Sequence, residues 1–284
     1  MNKNLLSLYG LKWNPFTPDI PTEACRITPR VELFCQRLEN LAREGGYALV
    51  TGEPGTGKSV ALRLLVSRLG GLRDVTVGVL TRPQGTEADF YRELGAIFGV
   101  ALAPHNRWAG AKVLRELWQA HIEASLVRPV LVVDEAQEMR DSVFKEMRLL
   151  AAAKLDAQSL LTVVLAGDLR LVERLRDPDL TALASRIRVR LALDTLPAAE
   201  LVEYLRHAMS AAGNANLMTA ELMATLAEHA AGNLRLLMNL SVELLEAGAK
   251  KEVGRLDEKL YLEVFSLPSA EVGRRRSPAG AGAR

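Results

Sequence analysis

The stretch GEPGTGKS, residues 52–59, restricts the possible folds more than any other part of the chain. It satisfies G-x-x-x-x-G-K-[ST] in full. It lies between a short apolar β-type run, YALVT at 47–51, and GKSVALRLLVSRLG, which has helical spacing. Strand, glycine-rich loop and helix in this order let backbone N–H groups curl round phosphates, and the helix adds its positive N-terminal end. Glu53, Pro54, Gly55, Thr56, Gly57, Lys58, Ser59 and Val60 are therefore the expected nucleotide-binding set. Lys58 is placed to meet the β and γ phosphates, and Ser59 to ligate Mg²⁺.

The rest of the chain supplies a sheet to carry that loop. Thr28-Pro29 is a cap and first-turn signal for a helix that runs to Gly45-Gly46. Strands are expected at 75–80 (VTVGVL), 130–133 (VLVV), 160–167 (LLTVVLAG) and 187–193 (IRVRLAL), besides 47–51. Helices separate them: one opened by Thr86, one through AKVLRELWQAHIEASL, and one near 141–153. Strands that are apolar throughout, alternating with helices, indicate an α/β fold with a parallel five-stranded sheet covered on both faces. Beyond Asp194 four runs are helical by period and read as a small all-helical domain. The expected layout is an N-terminal arm at 1–27, an α/β core at 28–194, a helical lid at 195–267 and a disordered basic tail at 268–284.

Apolar residues make up 49% of the 284, enough for a sizeable core. A net charge of +2 is too mild to demand nucleic acid, so any case for DNA rests on where the charge lies. Cys25 and Cys35 form no metal-type pair and read as reduced thiols. No secretory leader or membrane-length apolar run is evident, so a cytoplasmic location is expected.

Three further features carry chemistry. The strand VLVV ends in Asp134-Glu135, at the edge where ligands of such sheets sit. Asp134 is the expected Mg²⁺ ligand beside Ser59, and Glu135 the base that polarises an attacking water. The strand LLTVVLAG ends in Asp168, either a contact to that water or the γ-phosphate, or a turn-forming Gly-Asp. Finally, a two-residue period through LASRIRVRLAL puts Arg186, Arg188 and Arg190 on one face.

The segments YGLKWNPF, VTGEPGTGKS, LVVDEAQ, VVLAGDLRLVERL, LASRIRVRLAL and AAGNLRLLMNL, in this order, resemble AAA+ ATPases of the ExeA/GspA-like group. They are also similar to the ATPase regulators of bacterial transposons of the TnsC, TniB and MuB kind. The resemblance implies an ATPase using ATP and Mg²⁺, with Asp134 and Glu135 as the Walker B pair. It puts sensor 1 at Asp168, where the ExeA-like group commonly has Gln, and sensor 2 at Arg235. It makes Arg186 the arginine finger on a neighbouring subunit's γ-phosphate, with Arg188 in reserve.

The resemblance leads us to expect a regulator of transposition that assembles on duplex DNA without sequence preference and engages a transposase or adaptor. The alternatives are a secretion-associated ATPase, which would need a membrane span and a further domain, and a nucleotide switch that binds no DNA. Candidate DNA contacts are Arg73, Arg82, Arg107, Lys112 and the tail Arg274, Arg275 and Arg276, each of which also reads as an ordinary solvated charge.

Overall fold

The computed structural model describes residues 3–101, 107–154 and 157–265. The expected tail, with Arg274, Arg275 and Arg276, lies outside them. The chain opens with α1 (Lys3–Tyr9) and an extended arm, then α2 (Pro29–Glu44), β1 (Gly46–Gly52), α3 (Lys58–Gly70), β2 (Val75–Leu80) and α4 (Glu87–Phe98). Next come α5 (Arg107–Ser125), β3 (Arg128–Val133), α6 (Asp141–Ala151), a two-stranded hairpin of β4 (Ala152–Ala153) and β5 (Gln158–Ser159), and β6 (Thr162–Gly167). The short helices α7 (Leu169–Arg174) and α8 (Thr181–Ala184) lead to β7 (Ile187–Leu193). The helical part is α9 (Ala198–Ala212), α10 (Ala220–His229), α11 (Leu234–Lys250) and α12 (Glu258–Phe265).

The five long strands make a parallel sheet in the order β2-β3-β6-β1-β7. Alternation of side chains sorts each central strand between two cores. Leu49, Leu131, Val133, Val163 and Leu165 pack on α4, α5 and α6, around Phe90, Trp118 and Phe144. Ala48, Val50, Val130, Val132, Val164 and Ala166 pack on α2 and α3, around Phe34, Leu38 and Leu65. Because both faces are buried, these strands carry no polar alternation. The caps fall where the sequence signals them: Thr28 accepts from Val31 N at 3.4 Å, and Thr86 with Asp89 closes a capping box.

Two expectations need revision, on α6 and on β7. The helix expected to 153 stops at Ala151, because the chain turns into the hairpin. The N-terminal arm packs on the helical part, where Tyr9, Leu11 and Phe16 share a buried core with α9–α12. It is tied there by Lys12 N to Ala212 O at 2.9 Å and by Asn214 Nδ2 to Tyr9 O at 2.9 Å. The arginines of β7 do not form one stripe. Tyr47 pairs with Ile187 but Ala48 pairs with Val189, so Arg188 is an inserted residue that shifts the register. Ile187 accordingly packs with the α4–α6 core, whereas Val189 and Leu191 pack with the α2–α3 core.

Candidate nucleotide site

The phosphate loop is held open by its own geometry. Gly55 and Gly57 sit at φ 90° and 97°, conformations that favour glycine. A Cβ on Gly52 would come within 2.5 Å of Leu193 O and 2.6 Å of Thr56 Oγ1. Thr56 is buried and donates to Glu53 O at 2.8 Å, which closes the loop. Lys58, also buried, donates through Nζ to Gly52 O at 2.7 Å and Glu53 O at 3.2 Å, so its ammonium is pinned at the mouth of the loop.

The ends of β3 and β6 supply the acids. Ser59 Oγ donates to Asp134 Oδ2 at 3.3 Å, bringing together a hydroxyl and a carboxylate, the hard oxygen donors that magnesium takes alongside phosphate and water. Glu135 is exposed and lies in the left-handed region at φ 51°, ψ 40°. Its N–H donates to Asp134 Oδ1 at 2.9 Å. Such backbone in a non-glycine residue costs about 1 kcal/mol or more and is characteristic of functional sites. Here the bend is held by Ala136 and Gln137, both buried just beyond it.

Asp168 caps α7: Oδ1 accepts from Arg170 N at 2.9 Å, and Oδ2 accepts from Arg170 Nε at 2.9 Å. The hydrogen bonds from Arg170 hold this carboxyl below the ordinary aspartate range, with Lys58 adding a smaller effect. The side chain that sequence offers as either a phosphate contact or a turn former is thus engaged in a cap and an ion pair.

Arg235 reaches the loop from the lid. It is exposed, in the first turn of α11, and its N–H donates to Gly55 O at 3.3 Å beside that of Leu234 at 3.0 Å. Asn233, the cap of α11, donates Nδ2 to Pro54 O at 3.2 Å. A Cβ on Gly55 would fall 2.2 Å from Asn233 Oδ1, so lid and loop touch only because residue 55 is glycine. Loop, Glu135 and Arg235 line one cavity of about 380 Å³, whose opposite wall is the arm from Pro15 to Arg26 and the lid residues Tyr204, His207 and Met238. Arg63 on α3 fastens the arm by donating to Ile20 O at 2.8 Å and to Pro18 O. His207 Nε2 lies 3.0 Å from Ala24 O.

Sequence reasoning assigns no role to Asn233, Gln137, Arg63 or Arg26. Asn233 carries a cap signal in GNL, but the contact it makes is 179 residues away in sequence and has no local signature. Arg26 stacks over Tyr204 at 4.8 Å and keeps a buried Nη1 without a hydrogen-bond partner at the cavity wall.

Arg186 is at the other end of the sheet. It precedes Ile187, the partner of Tyr47 at the start of β1, whereas the loop follows Gly52. Five residues of strand separate the two ends, about 17 Å at ~3.3 Å per residue, beyond the reach of an arginine side chain. Arg186 bonds back to Ala182 O, Arg188 pairs with Glu44 at 2.6 Å, and both line a second cavity of about 340 Å³ with Arg148. Arg190 is exposed and pairs in register with Leu49. Among the proposed DNA contacts, Arg73 precedes β2 and Arg82 follows it, so they lie at opposite ends of that edge strand. Lys112 pairs with Glu116 at 3.7 Å on α5, which Arg107 opens.

The parallel sheet, the loop and the acids at the strand ends define a P-loop AAA+ fold followed by a helical lid, and residues 42–175 match the family described as an AAA domain. Over 172 residues the chain is 37% identical to General secretion pathway protein A of Aeromonas hydrophila, a stretch covering 60% of this chain and 30% of that relative. The Cdc6p structure from Pyrobaculum aerophilum superposes with a TM-score of 0.68 at 16% identity, over 85% of this chain and 67% of that one. Drosophila ORC bound to DNA gives 0.67 at 18%, over 93% and 66%. The Thermotoga maritima RuvB branch-migration motor gives 0.59 at 18%, over 88% and 72%. At these identities the structures share the fold. No helix among the described residues is long and apolar enough to cross a membrane.

Proposed function

We propose that the chain hydrolyses ATP at the cavity between core and lid, in a site that a second copy completes. The observation that carries this reading is the division of the machinery between the two ends of the sheet. Lys58, Ser59, Glu135 and Arg235 line one cavity and Asp134 accepts from Ser59 there, while Arg186, the finger candidate, is about 17 Å of strand away. Ser59 and Asp134 would hold Mg²⁺, which when bound neutralises charge on the phosphate oxygens. Glu135 orients the attacking water, and Lys58 and Arg235 meet the phosphates. Arg186 from a neighbour offers a planar guanidinium to the γ-phosphoryl oxygens, so turnover depends on assembly. Glu135→Gln should keep nucleotide binding and lose turnover; unchanged hydrolysis would remove Glu135 from the mechanism.

The output we propose is regulation of DNA transposition: ATP-bound copies assemble on duplex DNA and recruit or activate a transposase. The likeness in sequence to transposon ATPases and the likeness in fold to a DNA-bound ORC support this reading. The likeness to a general secretion pathway protein supports a second one, a secretion-associated ATPase. Binding to random-sequence duplex DNA at two salt concentrations, with ATP and with ADP, separates them. The first reading expects ATP-dependent binding that weakens steeply with salt, because counterions are released from phosphates. Absence of binding with ATP and in Glu135→Gln would overturn the first and leave the second, or a nucleotide switch that binds no DNA.

A further inference from the structure

Gln137, two residues beyond Glu135, has surroundings that a solvated loop glutamine would not have. It is 6% exposed, and both ends of its side-chain amide and its main-chain carbonyl are engaged. Nε2 donates to Glu135 Oε2, and Oε1 accepts from the backbone N–H of Asp168 at 3.4 Å. Its carbonyl accepts from the Arg174 guanidinium, which also pairs with Asp141 and lies 5.3 Å over the Phe144 ring. The amide can sit only one way round. A backbone N–H donates and an ionised carboxylate accepts, so reversing the side chain would oppose two donors at Asp168 and two acceptors at Glu135. A Cβ on Gly167 would lie 2.5 Å from Gln137 Oε1, so the notch that admits the amide exists because β6 ends in glycine.

We propose that Gln137 is a positioning residue that aims Glu135 and couples it to the end of β6. With Oε2 anchored, Oε1 of Glu135 is the oxygen left to accept from the attacking water. The link to β6 runs through the main-chain N–H of Asp168, since the Asp168 carboxylate is already engaged by Arg170. A shift of the β6 terminus therefore reaches Glu135 through one buried amide. This inference rests on Glu135 acting as the base.

The test uses the full chain with Mg-ATP and duplex DNA, and measures nucleotide affinity and kcat separately for Gln137→Met, Gln137→Glu and Gly167→Ala. Gln137→Met keeps the volume and removes both hydrogen bonds. Misplacement of a reacting group by about 1 Å costs about 10²-fold, and a loss of that order in kcat with unchanged nucleotide affinity is expected. In Gln137→Glu an ionised carboxylate cannot donate to Glu135 and repels it. That variant should be at least as slow as Gln137→Met, with nucleotide affinity unchanged. Gly167→Ala displaces the same amide from the opposite side, with Leu171 also crowded, and should slow turnover without adding to the effect of Gln137→Met. It stands in if Gln137→Met fails to fold. Full kcat in Gln137→Met and Gly167→Ala, or losses confined to nucleotide affinity, would overturn the proposal. If Glu135→Gln itself turns over, the base assignment fails and this inference with it; if Glu135→Gln is inactive and the Gln137 variants are not, this inference fails alone.

Discussion

The two ends of the sheet differ in how much of a site the chain builds for itself. At the C-terminal ends of the strands, loop, Glu135, lid and arm line one cavity, and most contacts there are internal: Lys58 to its own loop, Asn233 to Pro54, Arg63 to the arm. At the N-terminal ends, Arg148, Arg186 and Arg188 border a cavity with Glu44 as the paired acid. On the proposed reading, one end binds nucleotide and the other serves a neighbouring copy, and an active site divided in this way would make association a condition for chemistry.

The sharpest way to break that comparison is complementation. Lys58→Ala should lose nucleotide binding, and Arg186→Ala should bind nucleotide almost normally yet lose turnover by about 10³-fold or more. Neither hydrolyses ATP alone. Mixed, they should regain part of the activity, because an Arg186→Ala copy keeps an intact loop and a Lys58→Ala copy keeps its arginine. Measured as phosphate release against mixing ratio, no recovery would remove the finger supplied by a neighbour, and full activity of Arg186→Ala alone would move the role to Arg188.

Lid docking gives the next effect. Gly55→Ala introduces a Cβ 2.2 Å from Asn233 Oδ1 at a residue held at φ 90°. The α11 contact to the loop should open and ATP affinity fall by about tenfold, a change that isothermal titration would register. A drop of that size is ~1.4 kcal/mol, comparable to one or two neutral hydrogen bonds.

Much of this was legible in the chain. The phosphate loop, the five strands and the caps at Thr28 and Thr86 are local signals, and local signals survive folding. The seat of Glu135 was not, because it depends on Gln137 meeting the Asp168 N–H, 31 residues on, in a notch left by Gly167. The arginine stripe misled for a related reason. Strict alternation holds only while register holds, and one inserted residue at Arg188, invisible in IRVRLAL, sends Ile187 and Val189 to opposite cores. The partners of the arm have no local signature either, because its anchors, Tyr9 and Leu11, meet lid residues some 200 positions away.

The smallest effect concerns Asp168, at the loop end of the sheet: a strand-end acid whose place suggests chemistry and whose contacts are structural. Its carboxyl titrates below the ordinary range because Arg170 donates to the charged form. The folded state therefore binds this proton less readily than the unfolded chain. The stabilisation is present above the unfolded value near 3.9 and is lost as the pH falls through the lower folded value. Asp168→Asn retains a cap oxygen and removes the charge, so at pH 7 it should cost a few tenths of a kcal/mol, within the range of exposed ion pairs. As the pH falls through that lower folded value the difference from wild type should vanish in thermal or urea unfolding. If that substitution instead abolishes turnover while stability is unchanged, the Asp168 carboxylate belongs to the chemistry after all, and the connection from β6 to the water runs through its side chain as well as its backbone.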